Sequence, residues 1–288
     1  MHIVMGATGH VGAAVAQALL ERSEPVTVVT RDAHKAEALR TKGAHVAQVD
    51  VFDTHALRRV FMGGRRVFVL NPPAPPSSDT AAEESRSVRA IVSALEGCQL
   101  EKIVAESAYG AQAGEGIGDL SVLYDLEQAL AAGPTPFSAL RAAYYMSNWD
   151  ASLDTARKQG KVYSMFPKDF ELPMVAPHDI GQFAAKLMLG AVESTEPFHV
   201  EGPERYTPGD VARAFSEALD KPVELVETPR EQLEQAFSSL GFSEAAAKSY
   251  ATMTRATLDQ HYEPATKPVR GAISLREYIT ALVKRSSG

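Results

Sequence analysis

Three glycines, Gly6, Gly9 and Gly12, stand three residues apart between an apolar run at 3–5 and a stretch with helical spacing at 10–21. No other feature constrains the fold as tightly. A strand that turns at once into a helix packed against it leaves no room for side chains at the turn or at the contact. Gly6 therefore permits the turn, and Gly12 lets helix and strand approach. Gly9 leaves the backbone bare where the N–H groups and the positive dipole end of the helix attract an anion. Thr8 adds a hydroxyl donor, while His10 and Val11 contribute backbone N–H groups. These are the mechanics of a loop that cradles a dinucleotide pyrophosphate.

The first half of the chain supports that reading by its rhythm. Apolar, β-branched runs at 26–29, 46–49, 66–70, 102–105 and 136–140 predict strands, separated by helical patterns at 33–40, 54–61, 80–95 and 120–132. The proline-rich segment 71–78 and the glycine-rich segment 109–118 are loops. Repeated β-α units with short links specify an α/β fold, a Rossmann-type doubly wound parallel sheet with helices on both faces. Ligands of such sheets bind at the carboxyl ends of the strands, where strand order reverses.

Beyond Arg141 the rhythm breaks. Helices are expected at 177–189, 207–219, 231–240 and 243–258, with an edge strand at 198–200. The expected organisation is a dinucleotide-binding domain over 1–141, with part of 177–203 returning to it. Residues 142–288 form a smaller, mostly helical domain that closes over the sheet edge as a substrate cleft.

Bulk properties exclude several functions. A net charge of −7 without a basic stripe argues against nucleic acid as a partner. No apolar run approaches the roughly 20 residues that span a bilayer, so no membrane partner is expected. The chain enters its first strand directly, and its single cysteine, Cys98, sits in an apolar helix pattern. A reducing, cytoplasmic setting follows. No His, Cys and carboxylate spacing suggests a metal.

The second strand ends in Thr30-Arg31-Asp32, with Lys35 four residues after Arg31. A carboxylate there would accept from the ribose of NAD(H), whereas cations would pair with the 2′-phosphate of NADP(H). Two charge-assisted bonds at about 1.5–3 kcal/mol each would favour NADP(H) by roughly 10²- to 10⁴-fold. Asp32 is the opposing residue, unless it caps the following helix. Asp50 and Val51 end the third strand, where a carboxylate and an apolar side chain suit adenine; Asp50 can alternatively cap the next helix. Asn71, Pro72 and Pro73 end the fourth and would cover the ribose and nicotinamide. Ser107 ends the fifth, beside the cofactor, with no nucleophile elbow to suggest a hydrolase.

The glycine loop and the Arg31/Lys35 pair, together with the ordered segments Leu140-Arg141-Ala142-Ala143-Tyr144-Tyr145-Met146-Ser147-Asn148, Pro177-His178-Asp179-Ile180-Gly181 and Val200-Glu201-Gly202-Pro203-Glu204-Arg205-Tyr206-Thr207, resemble the NmrA-like branch of the atypical short-chain dehydrogenases/reductases. The resemblance spans nearly the whole chain. It implies a Rossmann core with a small C-terminal domain and a substrate cleft between them. Family members include NADPH-dependent quinone and triphenylmethane-dye reductases, isoflavone-type reductases, and redox sensors that bind the dinucleotide without turnover.

The usual acid-base machinery of that superfamily is missing. Tyr124 is followed four residues later by Gln128, where a Tyr-x-x-x-Lys pair needs lysine. Many NmrA-like enzymes carry a lysine four residues before the glutamate matching Glu127, and Leu123 stands there. Indeed no lysine occurs between Lys102 and Lys158. Tyr124 and Tyr144 remain the candidate proton donors. Tyr144 and Tyr145 could also stack near the nicotinamide, and Tyr109, Tyr145, Phe166 and Phe170 could line the pocket of a flat substrate. The expectation is hydride transfer from NADPH to a flat electrophile such as a quinone, dye or imine. The alternative is a non-catalytic NADP(H) sensor with a protein partner.

Overall fold

A computed structural model describes residues 1–193, 195–261, 265 and 267–286 of the chain. The first half runs β1 (His2–Val4), α1 (His10–Leu20), β2 (Val26–Thr30), α2 (Glu37–Thr41), β3 (His45–Gln48), α3 (Thr54–Met62), β4 (Arg66–Val69), α4 (Thr80–Leu95), β5 (Lys102–Ala108), α5 (Asp119–Ala131) and β6 (Phe137–Ala142). The second half continues with β7 (Tyr144–Tyr145), α6 (Leu153–Gln159), β8 (Lys161–Ser164), β9 (Leu172–Val175), α7 (Pro177–Leu189), β10 (Phe198–Glu201), β11 (Arg205–Tyr206), α8 (Pro208–Leu219), β12 (Glu224–Glu227), α9 (Leu233–Ser239), α10 (Glu244–Leu258), β13 (Val269–Arg270) and α11 (Leu275–Arg285).

Among the described residues, eight strands form one parallel sheet in the order β13-β10-β6-β5-β4-β1-β2-β3. Strand order reverses between β1 and β4. The pleat sends alternate residues to opposite cores. Val4, Val28, Phe68, Val104 and Leu140 pack with α1 and α7, whereas Ile3, Val67, Val69, Ile103 and Ala139 pack with α3, α4 and α5. Both faces are covered, which is why these strands read as continuous apolar runs.

Local sequence starts the helices. Asp53 and Asp79 cap α3 and α4 by accepting from the N–H groups of Ala56 and Ala82. Thr207 with Asp210, and Ser274 with Glu277, form reciprocal capping boxes on α8 and α11. At the crossing of α1 and α7, a Cβ on Gly181 would lie 2.5 Å from Ala14. That glycine lets the two helices touch backbone to backbone.

The remaining elements build a second core around Met146, Trp149, Phe166, Met174, Phe215 and Ile279. They include two small sheets, β11-β9-β7 and β12-β8, beside the helices. Helices α9 and α10 pack together through Leu233, Phe237, Ala247 and Ala251. The start of α10 rests on the proline-rich loop, where Ser243 donates to the carbonyls of Pro76 (2.9 Å) and Ser78 (2.7 Å).

Two local expectations need correction. The strand expected at the edge over 198–200 is β10, and it lies inside the sheet because β13 pairs outside it. The helices expected at 33–40 and 231–240 each begin with a 3₁₀ turn, Ala33–Ala36 and Arg230–Gln232. No described helix is long and apolar enough to cross a membrane.

Candidate functional site

Gly6 takes φ +66°, a left-handed turn that glycine alone adopts freely. Leu70 packs against it, 2.9 Å from where a Cβ would stand. Gly12 sits hard on the strand, since a Cβ would lie 2.4 Å from the carbonyl of Gly6. Gly9 is the N-cap of α1 and offers no side chain to the first turn, which also carries no acidic residue. A Cβ on Gly9 would meet only the Gly6 oxygen, at 3.4 Å, and Thr8, Gly9 and His10 are exposed. The helix start is thus open and uncapped, a cradle of N–H groups that fits a phosphate. Val11 turns its side chain into the core and faces the site through backbone alone. His10 is exposed, with Nε2 3.9 Å from an Asp150 oxygen, and Asp150 also accepts from the Tyr278 hydroxyl at 2.9 Å.

At the end of β2, Arg31 and Lys35 are exposed. Asp32 accepts from the His34 N–H at 3.0 Å and caps its own helical turn. Its carboxylate is engaged locally, which weakens it as a ribose acceptor. At the end of β3, Asp50 accepts from the Phe52 N–H, leaving the capping of α3 to Asp53. Val51 is half-buried beside it.

Past β4, the Asn71 amide donates to the Glu84 carbonyl and accepts from Ser87, so it ties the loop to α4. The Glu84 carboxyl accepts from the Ala74 N–H at 2.9 Å. Pro72 and Pro73 follow on the same loop, half-buried and exposed respectively. Glu84 is buried and hydrogen-bonded to Asp119; burial first, then the Asp119 charge, pushes its carboxyl up to about 8.

Adjacent residues of β5 serve opposite faces. Ser107 points towards α5 and donates to Glu127, which is itself held by Arg141 through bonds of 2.9 and 2.7 Å. Its hydroxyl is therefore engaged within the protein, on the face of the strand opposite Glu106. Glu106 points to the opposite face, in register with Leu140 and on the side of α1 and α7. Its Oε1 accepts from the Tyr145 hydroxyl at 2.7 Å. Burial pushes the Glu106 carboxyl up to about 8, against the lowering effect of that hydrogen bond. One step beyond the Val69–Ala105 pair, Leu70 neighbours Glu106. Since Leu70 also packs on Gly6, the Glu106–Tyr145 pair lies one strand from the glycine loop.

The aromatic residues separate. Tyr145 packs against the core shared by Ala7 and Val11. Tyr144 faces the other way, 5.7 Å from Phe166 and 5.9 Å from Trp149 between ring centres, and burial pushes its hydroxyl up to about 12. Phe166 stacks on Phe170 within the same second core. Tyr144, Phe166 and Phe170 thus pack together in the core of the smaller unit. Successive residues of an extended strand cannot line one site together. The Tyr109 hydroxyl donates to Glu201 at 2.8 Å, and its ring meets His199 edge-on, so it too is engaged within the protein. Tyr124 is half-buried on α5, with Gln128 exposed one turn on and Leu123 packed against the second face of the sheet.

The structure therefore gathers Gly6–Gly12, Arg31, Asp50, Asn71 and Tyr145 at the carboxyl ends of β1 to β6, around the reversal of strand order. Glu106 and the Glu84–Asp119 pair were missed in the sequence, although a carboxylate directly following an apolar strand was there to be read. A groove of about 620 Å³ also runs beside α7, lined by Arg22, Gln182, Lys186, Val269 and Arg270; none of the sequence-predicted site residues lines it.

Known proteins resemble this one along most of its length. An NAD(P)H azoreductase from Xenophilus azovorans is 24% identical over 247 residues, covering 86% of this chain and 84% of its own. Quinone oxidoreductase 2 from Escherichia coli (strain K12) is 22% identical over 254 residues, covering 87% and 86%. In structure, the NADPH complex of an E. coli NADPH-dependent quinone oxidoreductase superposes with a TM-score of 0.80 at 21% identity over 98% of this chain and 99% of the other. The NADP(H) complex of Citrobacter sp. triphenylmethane reductase gives 0.79 at 20% identity, over 99% of each chain. The sequence profile of the NmrA-like family matches residues 2–279, and the chain belongs to that family.

Proposed function

We propose that this protein is an NADPH-dependent reductase that passes hydride to a flat electrophile such as a quinone, an azo or triphenylmethane dye, or an imine. The observation that carries the reading is the open, uncapped glycine cradle at the start of α1, with two exposed cations beyond β2. Gly6, Gly9 and Gly12 with the N–H groups of His10 and Val11 would hold the pyrophosphate. Arg31 and Lys35 would hold the 2′-phosphate of NADP(H) in preference to the bare ribose of NAD(H). Asp50 and Val51 would meet adenine, and Asn71 to Pro73 would cover the ribose. The bound nicotinamide supplies the hydride, and the protein positions two flat molecules. Relatives named as quinone, azo and dye reductases support the same substrate class.

In this reading residues 1–141 with the returning strands β10 and β13 bind the dinucleotide, and the smaller unit within 142–288 closes the cleft. The partner is a small molecule in a cytoplasmic setting; nucleic acid is disfavoured by the charge of −7. One observation favours a second reading, a non-catalytic NADP(H) sensor with a protein partner: the superfamily's lysine is replaced by Leu123 or Gln128.

The test is NADPH oxidation, followed by loss of its near-ultraviolet absorbance, against a panel of quinones, dyes and imines. Turnover that disappears in Gly9→Asp supports the reductase, because that substitution adds a negative charge where the phosphate binds without crowding the fold. Tight NADPH binding with no turnover on any acceptor would replace the reductase with the sensor.

A further inference from the structure

Reduction of a quinone requires a proton as well as a hydride, and the family's lysine is absent. We propose that the Tyr145 hydroxyl delivers this proton and that the buried carboxyl of Glu106 replenishes it. The proposal rests on the reductase reading above.

Glu106 is 4% exposed at the carboxyl end of a strand that is otherwise apolar from Ile103 to Ala105. Its Oε1 meets Tyr145, and its Oε2 is buried without a hydrogen-bond partner among the described residues. Two other buried glutamates are paired with guanidinium groups, Glu127 with Arg141, and Glu201 with Arg270 at 2.8 Å and Arg205 at 3.4 Å, whereas Glu84 shares its site with Asp119. No cation pairs with Glu106 among the described residues. An ionised carboxylate with a bare oxygen and no counter-charge is costly, and protonation removes that cost. The upward shift of Glu106 by burial agrees with this.

A neutral Glu106 changes what Tyr145 can do. The carboxyl O–H donates to the tyrosine oxygen, so the tyrosine's own hydrogen is free to turn away from Glu106. Tyr145 alone would be a poor acid, because burial and the charges of Glu106 and Asp119 hold its hydroxyl well above its usual range. These are the groups that face it, and Asp119 is in turn hydrogen-bonded to Glu84. Neutral Glu106 removes the nearer charge and stabilises the phenolate as it forms.

The reduced nicotinamide supplies two electrons and one hydrogen as hydride. As the acceptor oxygen gains charge, the Tyr145 O–H bond breaks and an O–H bond forms on that oxygen. The Glu106 O–H bond breaks as the Tyr145 O–H bond reforms, leaving a carboxylate. Water returns a proton to Glu106 through Tyr145 after the hydroquinone departs. Tyr145 is then a catalytic residue, and Glu106 acts through it as a positioning residue and proton store.

The experiment measures kcat against pH for wild type, Glu106→Gln and Tyr145→Phe, with NADPH and a water-soluble benzoquinone, together with the NADPH dissociation constant of each. Wild type should lose rate as pH rises through the Glu106 ionisation near 8. Glu106→Gln should fall in kcat by about 10²-fold, within the range of general acid catalysis, and lose that alkaline limb. Tyr145→Phe should fall at least as far, and both should bind NADPH as wild type does. A Glu106→Gln enzyme that keeps the wild-type rate and alkaline limb would overturn the proposal. So would a Tyr145→Phe enzyme within about threefold of wild type, since a general acid contributes at least ~10²-fold. If Glu106→Gln fails to fold, Tyr145→Phe, which loses only one oxygen, decides the matter. A wild type without any quinone turnover would instead overturn the reductase reading and the proton relay with it.

Discussion

An alanine at Gly12 would put a methyl 2.4 Å from the carbonyl carbon and oxygen of Gly6 and 2.6 Å from the Met5 oxygen. All of these are backbone atoms, so no side chain can swing aside. Ordinary contact begins near 3.5 Å, and α1 must therefore retreat by about 1 Å. The helix buries Val11, Val15, Ala16, Ala18 and Leu19 against the sheet and α7. Overpacking of this kind costs about 1–3 kcal/mol, and the retreat of a whole buried helix places Gly12→Ala in the upper half. In a chain of this size the melting temperature should fall by about 5–10 °C. Gly9→Ala is the contrasting variant. Its methyl meets only the Gly6 oxygen at 3.4 Å, and its φ of −96° suits any residue, so melting should stay close to wild type. The methyl would instead stand where a phosphate approaches, weakening NADPH binding by about tenfold or more, ~1.4 kcal/mol. Gly6→Ala should fall between them, since φ +66° costs an alanine about 1–2 kcal/mol and Leu70 must shift. Thermal melts and NADPH titrations of the three variants provide the assay. A Gly12→Ala protein that melts with wild type, or a Gly9→Ala protein that binds NADPH undiminished, would refute the reasoning.

Joint replacement of Arg31 and Lys35 by alanine should weaken NADPH by about 10- to 10²-fold, because these exposed contacts are screened, and leave NADH unchanged. Parallel loss for both dinucleotides in equilibrium titrations would contradict that assignment. Glu127→Ala leaves the buried Ser107 hydroxyl without its acceptor and removes the carboxylate to which Arg141 donates twice. Chemical denaturation should show a loss of about 3–5 kcal/mol, and a loss below ~1 kcal/mol would mean that water relieves the site. An unfolded Glu84 ionises near 4.5 and the folded one near 8. Between those values the folded state holds the extra proton, so stability declines as pH rises and levels off above the upper value. Glu84→Gln should flatten this decline and gain on wild type towards pH 8, and melting curves that stay parallel across the range would count against it.

What the sequence made legible was local. A glycine loop between strand and helix, and the alternation of apolar runs, depend on neighbours within a few residues. The core strands could be read because each is buried on both faces. Glu106 escaped because its partner, Tyr145, lies 39 residues away and joins it only when β5 and β6 pair. Ser107, Glu127 and Arg141 form a knot across a strand, a helix and a second strand, so none announces its role alone. Tyr144 and Tyr145 carry a different lesson. Read as an extended pair they must diverge, and the structure sends one to each core. The two-residue strand β13 has no pattern of its own and exists through pairing with β10.

The contact between α1 and α7 has a consequence for how the chain comes into being. The helix that carries the glycine loop is made well before part of the surface that covers it, since Ile180, Ala184, Ala185 and Met188 follow its last residue, Leu20, by 160 residues or more. Gly181 seats that late helix on Ala14, and Asp179 beside it accepts from the N–H groups of Ala272 (3.0 Å) and Ile273 (2.9 Å), near the end of the chain. Order in the first helix is thus coupled to segments made long after it. A nascent chain holding only the first six strands would expose an apolar helix face, the condition in which partly made α/β proteins aggregate or engage chaperones. Competence to bind a dinucleotide should appear abruptly, when Ala272 and Ile273 close behind α7, rather than grow strand by strand.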